Sequence, residues 1–550
     1  MTAAHSIGAT DTALLEETIG AAFDRIVADH ADREALVVPF QGLRLTFREL
    51  GREVDRLARA LIALGLGKGD RLGMWSPNNA EWVYIQFAAA KAGVILVNIN
   101  PAYQTEELRY ALSQSGCRAL VSATGFKSSN YAAMITEVRD SLPDLEHVVL
   151  LDTPEWDEFI ASGDEVGPDV LPARGASLSN TDPVNIQYTS GTTGFPKGAT
   201  LSHRNLLNNG YFLGLGFRYT TADRVCIPVP FYHCFGMVIG NLANLTHATT
   251  TVLPAPSFEP LATLQALEGE RCTSVLGVPT MFIAMLSHPE FERFDLSSLR
   301  TGMMAGSPCP VEVMKQCVDE MHMGEVTIGY GMTETSPVSA QTSPDDPLDK
   351  RVGTVGRVMP HVEIKVVDPA TGETVGLNEP GEYCTRGYSV MLGYWNEPQM
   401  TAEAIDADGW MHSGDLAVMD DDRYVSIVGR IKDMIIRGGE NVYPREVEEF
   451  LYSHPDIVDV QVIGVPDAKY GEELVAWLRL RDGATMTRDE LAAYCAGRIA
   501  HFKIPRYIHI ADEFPMTITG KVQKYRMREI SIEHLTRSDA NPVRGRSVAE

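Results

Sequence analysis

Apolar residues recur at helical spacing near the start of the chain, and short apolar runs separate the helical segments. The spacing over residues 12–30 and 46–65 predicts two amphipathic helices, the second with Thr46 as its N-cap. The run Arg71–Trp75 then has the composition of a strand, and a third helix is predicted over Ala80–Ala92. Strands that alternate with helices are typical of parallel sheets covered on both faces, so the pattern predicts an α/β fold.

The pattern changes further along the chain. The alternation returns over 116–150 and 222–330, and from about 350 to 429 short strands and turns predict a β-rich subdomain. After Gly429-Arg430 a small αβ unit follows. We therefore expect four parts: an N-terminal domain over 1–430, a connection over 431–433, a C-terminal domain over 434–532, and a flexible tail over 533–550.

Composition narrows the function classes. At 550 residues and ~150 residues per domain, the chain holds two to four folding units, and a net charge of -26 argues against a nucleic-acid partner. The 8 cysteines form no CxxC pair, which indicates reduced thiols in a cytosolic protein. Without a secretory signal or a run of ~18 apolar residues, we expect a cytoplasmic protein with no integral membrane segment. Peripheral membrane association and the choice between monomer and homodimer stay open.

The strongest chemical signal is YTSGTTGFPKG at 188–198. Its glycines allow tight turns and close approach of the backbone to a ligand, and Ser190, Thr192 and Thr193 add hydroxyl groups around a polyphosphate. Lys197 supplies a cation. The residue after Lys197 is glycine rather than Ser or Thr, so the segment is not a Walker A loop. An ordinary surface turn is the alternative.

Further motifs follow in order: MMAGSPCP at 303–310, GYGMTETSP at 329–337, WMHSGD at 410–415 and PMTITGKVQKYRMRE at 515–529. With the glycine-rich loop, they make nearly the whole chain resemble the adenylate-forming superfamily of acyl-CoA synthetases, luciferases and nonribosomal peptide adenylation domains. The resemblance implies a large N-terminal domain of parallel αβαβα-type sheets with a β-rich subdomain, and a small mobile α+β C-terminal domain.

The resemblance also implies roles for individual residues. Glu334 and Thr189 would bind Mg²⁺, Thr333 would contact the α-phosphate, and Lys521 would be the catalytic lysine, whereas Lys524 is expected to be a solvated surface group. The ATP- and AMP-binding set would be Thr189, Ser190, Gly191, Thr192, Thr193, Gly194, Lys197, Gly306, Ser307, Pro308, Tyr330, Gly331, Asp415 and Arg430. Tyr330 would pack on adenine, and Asp415 and Arg430 would hold the ribose.

The segment from 429 to 448 resembles the family's hinge. The C-terminal domain would rotate about Lys432 between an adenylating and a thioester-forming pose. Gly438 and Gly439 would then line the tunnel for the coenzyme A thiol arm, and Phe502 and Arg506 would contact its nucleotide part.

The acyl pocket is expected to involve His233, Met237, Met303, Met304 and Gly329. For His233, contact with the substrate carboxylate and a purely structural role both stay open. No Lys or Arg occurs within 226–242 or 301–314, which favours an aliphatic acid over an amino acid. Long-chain relatives often carry a tryptophan gate where this chain has Met237, and the local sequence resembles the medium-chain family member 2 type.

The predicted reaction has two steps. A medium- to long-chain fatty acid would attack the α-phosphate of ATP to give acyl-AMP and pyrophosphate, and coenzyme A would then displace AMP. The alternatives are an aryl-CoA ligase for a cinnamate- or benzoate-like acid, a ligase that loads a separate carrier protein, a luciferase-like oxygenation, and a non-catalytic nucleotide sensor.

Overall fold

The computed structural model describes residues 2–189, 196–307, 309–438, 440–467, 469–516 and 522–539. For residues 536–539 it describes the backbone alone. The strands of the described residues are β1 His5–Ile7, β2 Glu34–Val38, β3 Leu43–Thr46, β4 Arg71–Trp75, β5 Ile95–Asn98, β6 Ala119–Ser122, β7 His147–Leu150, β8 Pro183–Thr189, β9 Lys197–Ser202, β10 Arg224–Cys226, β11 Thr250–Val252, β12 Ser274–Gly277, β13 Thr301–Ala305, β14 Glu325–Gly331, β15 Val338–Gln341, β16 Arg357–Val358, β17 Val362–Val367, β18 Pro380–Gly387, β19 Gly393–Tyr394, β20 Met411–Met419, β21 Val425–Arg430, β22 Ile435–Arg437, β23 Glu440–Val442, β24 Ile457–Asp467, β25 Gly471–Leu480 and β26 Tyr507–Ile510. The α-helices are α1 Ile19–Asp29, α2 Phe47–Ala63, α3 Ala80–Ala92, α4 Thr105–Ser115, α5 Tyr131–Val138, α6 Pro154–Ser162, α7 Val170–Ala176, α8 His203–Gly216, α9 Ala243–His247, α10 Pro260–Gly269, α11 Pro279–Leu286, α12 Val311–Asp319, α13 Leu348–Gly353, α14 Pro398–Ala404, α15 Pro444–Tyr452, α16 Arg488–Cys495 and α17 Lys524–Asp539.

Two large sheets form most of the N-terminal part. The first has the order β19-β9-β8-β5-β4-β6-β7, and its strands from β8 to β7 are parallel. The second has the order β16-β15-β14-β13-β12-β10-β11-β2-β3, with a parallel centre from β14 to β2. The predicted α/β class is therefore confirmed.

The helices of this part follow the sequence signals closely. Thr46 caps α2 through a capping box with Glu49, as its position before the apolar stripe indicates. Helix α1 begins only at Ile19, later than the periodicity predicts, because the Thr18 side chain accepts a hydrogen bond from the backbone N–H of Ala21. Helix α3 is buried on all sides, and its Lys91 pairs with Asp24 and Asp55.

The β-rich segment forms an antiparallel sheet of order β1-β17-β18-β20-β21. Its edge strand β1 comes from the N-terminus, where His5 pairs with Lys365 and Ile7 with Glu363. The alternation of apolar and polar residues predicts the other strands, but three residues near the N-terminus are too few to predict β1.

The C-terminal part has its own sheet, of order β23-β22-β25-β24, with β26 parallel to β25. One apolar cluster, including Ile435, Leu451 and Leu478, covers one side, and a second, including Trp477 and Met527, lies apart from it. Helix α17 extends through Asp539 and so enters the segment for which the sequence predicts a tail. In the described part of the chain, no helix is long and apolar enough to cross a membrane.

Candidate active site

Strand β8 places polar side chains along one of its faces. Asn185, Gln187 and Thr189 alternate with Ile186 and Tyr188, so the two sets point to opposite sides of the sheet. The Tyr188 hydroxyl donates to the side-chain oxygen of Gln114 at 2.7 Å, on the face that α4 covers. The polar face ends at Thr189, where the glycine-rich segment begins.

Glu334 joins this end of β8 to the second sheet. It lies in a short 3-10 turn, Thr333–Thr335, and is only 5% exposed. Its Oε1 accepts hydrogen bonds from the Tyr394 hydroxyl at 2.8 Å and from the Thr189 hydroxyl at 3.4 Å. Burial and the neighbouring Glu334 carboxylate raise the pKa of Tyr394, so this hydroxyl keeps its proton.

The donor set suits a hard dication. Both contacts to the Glu334 carboxylate fall on Oε1, and within the described ranges Oε2 receives no side-chain hydrogen bond. A carboxylate oxygen and a threonine hydroxyl are ligands that Mg²⁺ accepts together with phosphate oxygens. The Lys197 ammonium lies 5.0 Å from the centre of the Tyr394 ring, and Lys197 is paired with Thr189 across β8 and β9. The structure therefore brings Glu334 and Lys197 each into contact with both Thr189 and Tyr394.

A second group of predicted residues meets at the carboxyl end of β14. The Tyr330 hydroxyl donates to Asp415 Oδ2 at 2.7 Å, and Arg430 Nε lies 3.0 Å from Asp415 Oδ1. Asp415 and Arg430 are directly opposite each other on β20 and β21, so the hairpin itself sets this ion pair. Burial and the Asp415 charge raise the pKa of Tyr330 well above its ordinary value.

The irregular part of β20 that carries Asp415 is held by Glu382 of the neighbouring strand β18. Glu382 Oε1 accepts the backbone N–H of Gly414 at 2.9 Å, and Glu382 Oε2 lies 2.9 Å from His412 Nδ1. The Ser413 hydroxyl donates to the carbonyl of Tyr383 at 2.6 Å. Hydrogen bonds to Cys384 and Glu382 raise the pKa of His412 to about 10. The WMHSGD motif therefore builds a rigid support for one carboxylate.

Glycines next to these groups have no room for a side chain. A Cβ at Gly331 would lie 1.8 Å from the carbonyl oxygen of Pro337, and one at Gly329 would lie 2.5 Å from the terminal methyl of Met303. Gly306, which precedes Ser307 at the end of β13, has φ +90°. Close packing therefore explains the glycines on both sides of Tyr330.

The predicted acyl-pocket segment is a π-helix, Phe235–Leu242. Such helices are rare and occur mostly at functional sites. Just before it, Cys234 Sγ lies 3.8 Å from the Thr333 hydroxyl, which places this segment against the turn that carries Glu334. His233 Nδ1 accepts the backbone N–H of Phe235 at 3.2 Å, so at least one ring nitrogen has a structural role.

Met237 of this π-helix lies among amide side chains. The Asn98 amide nitrogen is 3.5 Å from the Met237 sulfur, the Gln187 amide nitrogen is 4.0 Å from it, and Gln86 donates to the Met237 carbonyl at 3.1 Å. Met237 is 1% exposed. Two buried oxygens nearby, Asn185 Oδ1 and Asn241 Oδ1, have no hydrogen-bond partner among the described residues. The region behind Met237 is thus polar, although the π-helix itself is apolar.

Met303 and Met304 are both fully buried on β13. Consecutive strand residues point to opposite faces, so no more than one of them can face the same side of the sheet as the other predicted pocket residues. Met303 packs against Gly329.

The residues predicted to contact coenzyme A surround a buried ion pair. Arg437 Nε lies 2.7 Å from Glu473 Oε2, and Glu473 is fully buried. Arg437 also donates to the carbonyl of Phe502 at 3.3 Å, and Arg506 lies 3.4 Å from Glu473 Oε1. Gly438, with φ +62°, donates its N–H to the carbonyl of Tyr470 at 2.7 Å. The structure brings Phe502, Arg506 and Gly438 together.

The structure also describes Lys524 and Lys432, two lysines of the predicted C-terminal part and its hinge. Lys524 was expected to be a solvated surface group, but its ammonium lies 2.6 Å from the buried Glu448 carboxylate and 3.1 Å from the carbonyl of Val462. Lys432 is exposed within a 3-10 turn, Ile431–Asp433. The other predicted site residues lie outside the described residues, namely Ser190, Gly191, Thr192, Thr193, Gly194, Pro308, Gly439 and Lys521.

Sequence reasoning missed several residues of the site. Tyr394 is distant in sequence from Glu334, and it is brought there by the pairing of β19 with β9 and by a backbone hydrogen bond from Met391 to Glu334. Asn98 ends the apolar strand β5 and Gln187 lies on the polar face of β8, and such buried amides are the one signal that could have indicated them. Nothing in the sequence around Glu382 indicates that it supports the site.

Comparisons with known proteins match most of the chain. The family model for AMP-binding enzymes matches residues 23–395, and the model for the AMP-binding enzyme C-terminal domain matches residues 446–521. Over 549 residues the chain is 46% identical to the mitochondrial medium-chain acyl-CoA ligase ACSF2 of Danio rerio, covering 96% of this chain and 91% of that protein.

Solved structures show the same fold. An anthranilate CoA ligase, AuaEII, in complex with anthranoyl-AMP superposes with a TM-score of 0.85 at 26% identity, covering 96% of this chain and 99% of that one. A fatty acyl CoA synthetase of Mycobacterium tuberculosis superposes with a TM-score of 0.73 at 28% identity, covering 94% and 99%.

Proposed function

The chain belongs to the AMP-binding enzyme family and its acyl-CoA synthetases, and we propose that it converts a medium-chain fatty acid to its coenzyme A thioester, with ATP cleaved to AMP and pyrophosphate. The observation that carries the proposal is the segment from Tyr330 to Glu334. At one end Tyr330 contacts Asp415, and at the other Glu334 contacts Thr189 beside the glycine-rich segment. A nucleotide with its sugar on Asp415 and its phosphates at Thr189 would span this segment.

In the first step, an oxygen of the substrate carboxylate forms a bond to the α-phosphorus, and the bond from that phosphorus to pyrophosphate breaks. Asp415 and Arg430 orient the ribose, and Thr333, which directly precedes Glu334 in the same short turn, contacts the α-phosphate. The Tyr394 hydroxyl holds Glu334 Oε1, which leaves Oε2 to face a cation. A Mg²⁺ ion bound there with ATP would neutralise phosphate charge.

In the second step, the thiol sulfur of coenzyme A forms a bond to the acyl carbon, the bond to AMP breaks, and the thiol proton passes to solvent. We propose that residues 431–433 are the hinge between the two steps, that residues 434–532 rotate about it, and that Lys521 acts only in the first. The cluster of Gly438, Phe502 and Arg506 supports a coenzyme A contact on the rotating part.

The acyl-chain assignment depends on the surroundings of Met237. The π-helix offers apolar side chains to a hydrocarbon, which gains about 0.8 kcal/mol for each buried methylene. A chain that passed Met237, however, would meet the amides of Asn98 and Gln187 instead of apolar side chains and would gain less from each further methylene. We therefore propose Met237 as the limit of the acyl chain. This limit and the similarity to ACSF2 support a medium-chain acid.

An aryl acid is the second candidate, because the anthranilate ligase superposes well. A panel of acids from acetate to palmitate, with cinnamate and anthranilate, should be assayed for AMP release with and without coenzyme A. We expect the largest coenzyme A-dependent rate with medium-chain acids, because Met237 would limit the length of the chain. Coenzyme A-dependent AMP release with aryl acids alone would refute the fatty-acid assignment. AMP release at the same rate with and without coenzyme A would indicate a carrier-protein ligase.

The role of Lys521 can be tested separately. Lys521→Ala should abolish thioester formation from the free acid, whereas supplied acyl-AMP should still react with coenzyme A. Lys127→Ala changes an exposed lysine that lies over the Phe126 ring, and as the matched control it should retain both reactions. Equal loss of both half-reactions in Lys521→Ala would refute the rotation.

A further inference from the structure

Three metal-binding side chains meet between β18 and β20. Cys384 and His412 are directly opposite each other in the register of the two strands, and Glu382 precedes Cys384 by two residues, which places it on the same face. Each of the three residues offers one ligand atom, and these three atoms all lie within 4.8 Å of one another. We propose that these three residues bind a transition-metal dication of the zinc class.

The distances match what such an ion requires. Zinc bonds of about 2.3 Å to sulfur and about 2.0–2.1 Å to nitrogen and oxygen, at tetrahedral angles, separate sulfur from nitrogen by about 3.5 Å and nitrogen from oxygen by about 3.3 Å. In the structure Cys384 Sγ is 3.5 Å from His412 Nδ1, and Glu382 Oε2 is 2.9 Å from it. The first distance fits, and the second must lengthen by a few tenths of an ångström.

The ligand atoms now bond to one another, because His412 Nδ1 contacts both Cys384 Sγ and Glu382 Oε2, and a bound ion would replace these hydrogen bonds and release their protons to solvent. Glu382 holds the Gly414 N–H through Oε1, so Oε2 can bind an ion without the loss of that contact. On the other side of the imidazole, Asp406 Oδ2 lies 3.7 Å from His412 Nε2. A carboxylate in this position orients a metal-bound histidine in many zinc sites.

The ligand types select among metals. A thiolate and an imidazole favour zinc and similar ions over Mg²⁺ or Ca²⁺, which prefer oxygen ligands. The site is thus chemically distinct from the Mg²⁺ ligands Glu334 and Thr189. The imidazole of His412 is partly exposed, which gives an ion access, while Cys384 is fully buried. A bound ion would tie β18 to β20 three residues before Asp415 of the same strand.

The test is metal binding by the full chain after treatment with a chelator. We expect one equivalent of Zn²⁺ to bind in competition with a chromophoric chelator. Co²⁺ in its place should give the near-ultraviolet band of a cobalt–thiolate bond. Cys384→Ser should lose the band and weaken Zn²⁺ binding at least 10-fold, and His412→Asn should weaken it by a similar factor. Cys495→Ser, which changes another buried cysteine, should bind as the unaltered chain does.

Thermal unfolding of each variant identifies any loss of the fold, and Glu382→Gln provides a third ligand change that keeps the side-chain shape. The proposal is overturned if the unaltered chain binds no Zn²⁺ at tens of micromolar. It is also overturned if the cobalt–thiolate band persists in Cys384→Ser.

Discussion

Replacement of Asp415 by asparagine should weaken ATP binding much more than it weakens the fold. The carboxylate accepts the Tyr330 hydroxyl on one oxygen and pairs with Arg430 on the other. Asparagine keeps the shape but removes the charge and one of the two acceptor atoms. One charge-assisted hydrogen bond contributes about 1.5–3 kcal/mol, which corresponds to a loss of affinity of roughly 10- to 150-fold.

The loss should appear as an increased KM for ATP, and as an increased Kd for AMP in isothermal titration. The free energy of unfolding should change by no more than about 1 kcal/mol, because the Arg430 side chain is 56% exposed and exposed ion pairs contribute little. Asp422→Asn, on the exposed tip of the same hairpin, is the matched control and should leave both constants unchanged. A KM for ATP within threefold of the unaltered value would refute the assignment of Asp415 to the nucleotide.

Three further changes test other parts of the structure. Burial lowers the pKa of His203 from 6.5 to about 4, so as the pH falls between these values the unfolded chain binds a proton that the folded chain does not, and the free energy of unfolding falls by about 3 kcal/mol. His203→Gln should reduce this dependence of the free energy of unfolding on pH, measured by urea unfolding, and an unchanged dependence would contradict a buried neutral His203. Met237→Ala should shift the optimum of kcat/KM towards longer acids while Met237→Leu should not, and identical chain-length profiles would show that Met237 does not limit the pocket. Glu473→Gln should lower the free energy of unfolding by about 3–5 kcal/mol, because Arg437 loses its charged partner. The double change Glu473→Leu with Arg437→Met should recover most of that stability in thermal unfolding, and no loss of stability in the single variant would contradict a buried ion pair.

Local signals predict much of the fold. Strand β4 and helix α3 have the limits that composition and periodicity indicate, and Thr46 caps α2. Where the sequence predicts the wrong helix limit or the wrong surroundings for a side chain, a side-chain contact that periodicity does not reveal is the cause. The Thr18 side chain delays the start of α1, and Lys524 is held by Glu448 from a different element. Such contacts follow from the arrangement of elements in space, which periodicity does not encode.

The candidate site, like the fold, contains residues that the sequence indicates and residues that it does not. Motifs identify Glu334, Asp415 and Arg430, because each motif fixes its residue beside a turn or at a strand end. Tyr394 and Glu382 support these residues through contacts across 60 and 32 positions of sequence. The π-helix could not be predicted, because its apolar composition also suits an α-helix or a buried strand.

Strand β1 has a practical consequence for work with this protein. It covers the edge of β17, and Arg423 donates to the carbonyls of Ala3 and His5 at 2.8 and 2.9 Å, which fastens the first residues to the hairpin that carries Asp415. Removal of the first ten residues would leave an open row of peptide groups, which is a template for self-association. Shortened versions should therefore aggregate more readily, and an affinity tag is better placed where it leaves this strand intact.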